Sequence, residues 1–423
     1  MNLILKNARI IDPDRNIDTI GDIGVENAVI ADPGKVSNAK VIDLSGKVLT
    51  PGFIDVHVHL RQPGNTTAET IASGTAAAAA GGFTSVVAMP NTSPAADTAG
   101  AIEFLRQTAA RTGVVRVLPC GCMTKNYAGQ EMAGIGSLKS AGVVALSDDG
   151  KCIQDHALMR HVVEYAKSFE LPILDHCEDN FLAAGGVMNE GKWSVLLGMN
   201  GMTGAAEELM IARNIILARQ FQWPIHMQHV SVKESVELIR KARAEGIMVT
   251  GEATPHHLSL TDDCIKTYDT NYKMNPPLRS EEDRQALLQA VADGTITAIA
   301  TDHAPHTVTA KLVEFDHAPF GIIGLETALG VTFTELVASG MMKLSEYVKR
   351  LTTGPADILR MKNYNLAEGN AADITIFDPE AEYVIDPATF KSKSRNTPFG
   401  GKKVRGRNVM TIVGGNVVYE YGK

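Results

Sequence analysis

His57 and His59 lie two residues apart in the run GFIDVHVHLR, flanked by Asp55 and Arg61. The rest of the run is apolar and β-branched, so it reads as a buried strand. Side chains on a strand repeat with a period of two. That period puts Asp55, His57 and His59 on one face and Val56, Val58 and Leu60 on the other. A buried imidazole without a partner is costly. Neutral imidazole is also the commonest metal ligand, and two on adjacent same-face positions reach one ion with little chain to order. H-x-H alone is a weak signal, but further ligand types follow along the chain. His176 in PILDHCED, His229 in PIHMQHVS and the pair Asp148–Asp149 in ALSDDG supply two more nitrogens and a carboxylate. Imidazole and carboxylate together suit zinc, and also iron, manganese or cobalt. One carboxylate with two oxygens can bridge two ions, each also holding two imidazoles, with positions left for water. Asp302, in IATDHAPH, is then left over. It reads as a proton shuttle beside a water at the metal, in preference to a carboxylate that orients a histidine ligand.

These residues need a frame that brings distant segments to one place. Strand candidates are Ile54–His59, Ser85–Met89, Arg116–Gly121, Val143–Leu146, Ile173–His176, Ile225–His229, Met248–Ala253 and Ile296–Ala300. Ala- and Leu-rich helical runs such as TIASGTAAAAAGG and EELMIARNIILARQ lie between most of them. Eight alternating β/α units fit an α/β fold of the (β/α)8 TIM-barrel type. A doubly wound open sheet is the alternative, but no G-x-G-x-x-G follows the first strand. The polar residues collect at the C-terminal ends of these strands: His57 and His59, Asn91, Asp148 and Asp149, His176, His229, His256 and His257, then Asp302, His303 and His306. That is the face on which parallel barrels build their sites. Both ends of the chain are strand-rich and helix-poor, which suggests one small β domain built from the two termini.

Composition excludes several classes. The 423 residues are 44% hydrophobic and 21% charged, which rules out global disorder. A net charge of −8 argues against nucleic acid or a membrane surface as a partner held by bulk electrostatics. The opening MNLILKNARIIDPD lacks the apolar core of a signal peptide, and no stretch is long enough to span a bilayer. Five cysteines, with no C-x-x-C, point to a reduced, cytoplasmic protein, with Cys120 and Cys122 as small buried thiols. His156, His161, His226 and His317 carry no pattern and are expected to be surface or packing residues. At least one of His256 and His257 is expected to support the site from behind.

The motifs PGFIDVHVHLR, GGFTSVVAMPNTSP, SDDG, HCED, EATPHHLSLTD, KMNPPLRSEEDRQAL, IATDHAPH and APFGIIGLET, in that order, resemble the class I dihydroorotases of the amidohydrolase superfamily. The resemblance covers essentially the whole chain. It implies a barrel over residues 51–366 with a small β-sandwich formed by residues 1–50 and 367–423. It implies two zinc ions, one on His57 and His59, one on His176 and His229, bridged by Asp149, the aspartate directly before the glycine. It makes Asp302 the catalytic proton shuttle. It gives Arg61, Asn91 and His306 the substrate's carboxylate, with Asn275 nearby and the backbone of Pro319, Phe320 and Gly321 on the ring edge. The implied reaction is reversible ring opening of dihydroorotate to N-carbamoyl-L-aspartate in pyrimidine biosynthesis. Related hydantoinases and allantoinases carry a carboxylated lysine at the bridging position, and here Lys151 lies beyond the glycine, out of place. Another cyclic amidase of that kind, or a non-catalytic partner of aspartate carbamoyltransferase, is the alternative. The implied partners are a small-molecule substrate, a second copy of the chain as a homodimer, and aspartate carbamoyltransferase. The chain departs from the family's pattern at Gln62 in HLRQPG, in TTAET, in GMTGAAEE and in TVTAKLVEF after His306, where a mobile loop over the site is expected.

Overall fold

The computed structural model describes residues 2–423, so Met1, counted in the first β segment, lies outside the described residues. Eight barrel strands run in chain order: β1 (Phe53–Val58), β2 (Phe83–Ala88), β3 (Arg116–Gly121), β4 (Ala145–Leu146), β5 (Ile173–Asp175), β6 (Ile225–Met227), β7 (Val249–Ala253) and β8 (Ala298–Ile299). Each pairs in parallel with the next. The seam closes just past β1 and β8. There Val58 and His303 form a parallel bridge, and the His59 amide donates to His303 O at 2.9 Å. Every residue of β1 and β2 is buried, as parallel strands covered on both sides require.

The simple alternation expected for the first strand does not hold along its length. Ile54 and Val56 pack with Val87, Cys120, Ala145, Leu174 and Ala298. Side chains from strands all around a barrel meet only in its interior. Val58 and Leu60 belong instead to the large cluster shared with the helices. The pairing register with β2 shifts between Asp55 and Val58, so the phase of the strand changes there. Asp55 consequently parts from the two histidines. Its carboxylate accepts the Thr301 amide at 3.1 Å and ties β1 to the strand across the seam. Burial pushes its pKa up to about 7.

Regular pairing also stops short of the chemistry. β5 ends one residue before His176, and β6 ends two residues before His229. Arg61, His229 and Asp302 have φ of 58°, 32° and 44°, so the backbone turns sharply where these side chains leave the barrel.

The helix Ile71–Gly81 shows how the outer layer is fixed. It opens on a capping box between Thr70 and Ser73 and closes on Gly82, whose φ of 95° suits only glycine well. The short side chains of its alanine run let the strand Lys403–Val413 approach. Asn408 and Thr411 of that strand donate to Ala79 O at 3.1 and 2.7 Å.

The two termini join in one mixed sheet of eight strands. Leu3–Asp12, Ile17–Glu26, Val29–Ala31, Lys40–Asp43 and Val48–Pro51 come from the first part of the chain, and Ile374–Val384, Lys403–Val413 and Asn416–Glu420 from the last. The halves meet where Val48–Pro51 pairs antiparallel with Ile374–Val384. Leu3, Leu5, Val25, Leu49, Ile374 and Ile412 give this sheet a core of its own.

Candidate functional site

Four imidazoles and two carboxylates converge at the C-terminal mouth of the barrel, all of them buried. His57 Nε2 lies 3.2 Å from Asp149 Oδ1, and His59 Nε2 lies 3.3 Å from Asp149 Oδ2. His176 Nδ1 and His229 Nε2 each lie 3.6 Å from Asp149 Oδ1. Asp302 Oδ1 sits 2.9 Å from His59 Nε2 and 3.4 Å from His57 Nε2. Three ligand sets have their donor atoms within 4.8 Å of one another: His57, His59 and Asp149; Asp149, His176 and His229; and His57, His229 and Asp302. Asp149 belongs to two of the three. Asp148 turns away and accepts the Met123 amide at 2.8 Å, so it braces the loop.

The donor set fits a metal cation. His57 Nε2 and His176 Nε2 are buried with no well-directed hydrogen bond. His176 Nδ1 and His229 Nε2 face each other at 2.7 Å, a contact with room for a single proton. Burial alone would lower the His57 pKa, but Asp149, Asp302 and Glu252 outweigh it and hold it well above the ordinary value. Burial likewise opposes, and Asp149 and Glu178 raise, the His176 value to about 10. Burial alone would raise Asp149 and Asp302, yet the surrounding imidazoles hold both below the usual carboxylate range. A cluster that otherwise has to collect protons is one that a divalent cation satisfies directly.

Glu252 is the functional-site neighbour that sequence reasoning missed. It is fully buried on β7, with Oε1 2.6 Å from His57 Nδ1 and Oε2 3.0 Å from His226 Nε2. It also accepts the His229 amide at 3.1 Å. A carboxylate acceptor keeps a proton on His57 Nδ1, which leaves Nε2, 3.2 Å from Asp149 and 3.4 Å from Asp302, as the atom that would meet a cation. His226 is therefore part of this network. An acidic residue inside VTGEA, a strand that is otherwise uncharged, was the available signal. His257 supports the site from another side. It bonds the Pro276 carbonyl at 2.9 Å, next to Asn275.

Beside the cluster opens a cavity of about 360 Å³. Arg61, Asn91, Asn275, His306, Pro319, Phe320 and Gly321 all border it, together with His59, Asp149 and Asp302. Arg61 uses Nε on the Pro305 carbonyl at 3.2 Å. Asn91 spends its Oδ1 on His59 Nδ1 at 2.9 Å, which leaves its amide nitrogen for a ligand. Asn275 Oδ1 is buried without a partner. His306 Nε2–H donates to Phe320 O at 2.7 Å. Burial and the charges of Arg61 and Lys311 hold His306 down to about 3, so the ring is neutral and its Nδ1 is a lone pair. At Gly321 the residue type is itself constrained. A Cβ there would lie 2.8 Å from the His306 ring, and φ is 148°.

Comparison with known proteins fits this geometry. A family model described as dihydro-orotase-like matches residues 46–235. A dihydroorotase of Endomicrobium trichonymphae is 50% identical over 421 residues, covering 99% of this chain and all of that one. A dihydroorotase of Pelotomaculum thermopropionicum is 47% identical, covering 99% of both chains. This chain belongs to the dihydroorotase family. Solved structures of related cyclic amidases share the architecture. The L-hydantoinase of Arthrobacter aurescens superposes with a TM-score of 0.90 at 26% identity, covering 100% of this chain and 97% of that one. The dihydropyrimidinase of Brevibacillus agri gives 0.86 at 24% identity, covering 99% and 95%, a likeness of fold alone.

Within the dihydroorotase family frame, two of the departures in sequence, Gln62 and the segment after His306, have plain structural roles. Gln62 Oε1 accepts the Ile71 amide at 3.0 Å and steadies the start of the helix Ile71–Gly81. Lys151 is exposed and donates to Tyr127 O at 3.1 Å, away from the cluster. The segment after His306 is a helical turn, Val308–Lys311, pinned from below. Lys311 is buried, and its ammonium donates to the carbonyls of Pro319, Thr270 and Lys273 at 2.8, 3.0 and 3.3 Å. All five cysteines are free, and burial raises the pKa of the Cys120 and Cys122 thiols. Among the described residues, no helix is long and apolar enough to cross a membrane.

Proposed function

We propose that the cavity takes dihydroorotate and N-carbamoyl-L-aspartate, and that the cluster beside it holds two zinc ions. One ion would lie on His57 and His59, the other on His176 and His229, with Asp149 between them. The observation that carries this reading is the placement of one ionised carboxylate, Asp302, against the imidazoles, with the guanidinium of Arg61 on the wall of the same cavity. A bound divalent cation supplies Lewis-acid polarisation of a carbonyl and a more acidic water.

The chain's own residues do the rest. Arg61 grips the ring's carboxylate with a planar fork of donors. Asn91 offers its free Nδ2, and Asn275 a further polar group. His306 lies on the same wall, and it would bond the carboxylate only with a proton on Nδ1, since its Nε2–H is spent on Phe320 O. Backbone groups of Pro319 to Gly321 meet the ring edge. Asp302, ionised in its site, accepts the proton of the attacking water and passes it to the leaving ring nitrogen. In ring closure it takes that nitrogen's proton instead.

The β domain is drawn at residues 1–50 and 367–423 and the barrel at 51–366. A cytoplasmic setting rests on the free cysteines. A homodimer and an association with aspartate carbamoyltransferase rest on the family resemblance, and light scattering with and without that enzyme tests both.

The decisive experiment is dihydroorotate hydrolysis by the purified protein, before and after chelation, with metal analysis and Asp302→Asn as control. Turnover that survives chelation, or survives Asp302→Asn, overturns the mechanism. Faster opening of dihydrouracil or allantoin than of dihydroorotate favours the broader cyclic-amidase reading instead.

A further inference from the structure

The connection between the strands Ile374–Val384 and Lys403–Val413 does not stay with the terminal sheet. Its segment Lys391–Asn396 crosses to the mouth of the barrel. Glu326 accepts the amides of Lys391 and Ser392 at 2.8 and 3.0 Å, and Ser394 Oγ donates to Ala68 O at 2.7 Å. Asn396, the last residue of this segment, is 3% exposed. Its Nδ2 donates to Ala304 O at 2.9 Å and to Gly321 O at 3.0 Å. Its Oδ1 accepts the His306 amide at 3.0 Å, and its own carbonyl accepts the Ile323 amide at 3.0 Å.

Each partner is of fixed type. Two carbonyls demand a donor and one amide demands an acceptor, so only a side-chain amide of this length satisfies all three. The clip adds three side-chain bonds to two walls of the cavity that also meet directly, through His306 Nε2–H on Phe320 O at 2.7 Å and the Ala304 amide on Ile322 O at 3.0 Å. One is the loop after β8, which carries Asp302 and His306. The other is the turn Pro319–Gly321, which borders the cavity. The side chain itself does not border the cavity.

We infer that Asn396, although it belongs to the C-terminal segment outside the barrel, is a positioning residue that sets the spacing between His306 and the backbone at Phe320 and Gly321, and so fixes where the substrate's carboxylate and ring edge bind. The inference rests on the substrate reading above. It predicts an effect on substrate affinity with the metal cluster left alone, since Asn396 touches none of His57, His59, Asp149, His176 or His229.

The test is steady-state kinetics of dihydroorotate hydrolysis by Asn396→Asp and Asn396→Ala, with metal content and melting temperature measured on the same samples. Asp keeps the volume and the acceptor for the His306 amide but sets a carboxylate oxygen against two carbonyls. Ala removes all three bonds without setting a charge against the carbonyls, so it serves if the Asp variant does not fold. The expected result is a KM raised roughly ten- to hundredfold, kcat within about threefold of the parent, and unchanged metal content. A purely structural role would shrink the active fraction, lowering apparent kcat at constant KM, and that result overturns the inference. Arg61→Met separates the two readings. If it raises KM while Asn396→Asp does not, the positioning inference alone falls. If Arg61→Met leaves KM unchanged, the substrate reading falls and takes the inference with it.

Discussion

Glu252 in the barrel and Asp18 in the terminal sheet are both carboxylates on strands, each within 3 Å of a basic partner. Glu252 Oε1 lies 2.6 Å from His57 Nδ1, and Asp18 Oδ1 lies 2.8 Å from Arg9 Nε. Their settings differ. Arg9 and Asp18 are 48% and 38% exposed, so water competes for both and little depends on the pair. Glu252 and His57 are fully buried, so water does not compete for either. Removing one partner there leaves an uncompensated polar group in a low-dielectric interior. The same ion-pair chemistry is therefore decoration on one strand and machinery on another, and burial is what separates them.

That contrast can be broken at several points. The largest effect belongs to Asp302. Asp302→Asn should lower kcat by on the order of 10²–10⁴ while bound metal stays at the parent level, by kinetics and elemental analysis on one preparation. A smaller loss would mean that Asp302 only orients His59. Next comes Glu252→Gln, which cannot accept from His57, His226 and the His229 amide at once. It should weaken metal binding by about 10–100-fold in a chelator competition. Unchanged affinity would make Glu252 a mere packing residue.

Glu326 sits where the terminal segment meets the barrel and offers a subtler test. Burial raises its pKa from 4.5 to about 7. Between those values the folded chain holds a proton that the unfolded chain releases. Its contribution to stability is therefore complete below about pH 4.5 and is lost as pH rises through 7. Glu326→Gln should remove that part of the fall in melting temperature, and a variant profile parallel to the parent's would refute it. The smallest effect is expected at the sheet. Arg9→Ala should cost no more than about 1 kcal/mol in denaturant unfolding and leave kinetics unchanged.

Much of the site was readable because its residue types are rare in apolar strands. His57, His59, His176, His229, Asp149 and Asp302 stand out against valine, isoleucine and alanine, and eight repeats of strand and helix said where they would meet. The register within β1 was not readable. A change of phase between Asp55 and Val58 leaves no mark on composition, so a plain period of two groups Asp55 with the histidines, whereas it holds the seam. Glu252 is not legible as a site residue, because a single acid in a strand has no motif around it.

The sequence by itself determined the ligand types, their order and the barrel that gathers them, because hydrophobic periodicity and strand-end placement are local properties of the chain. Only the tertiary structure decided which groups back them. Glu252 reaches His57 across 195 positions, and Asn396 reaches His306 across 90. Such pairs are made by barrel closure and by the return of the C-terminal segment to the mouth. Their energy comes from burial that no stretch of sequence possesses alone.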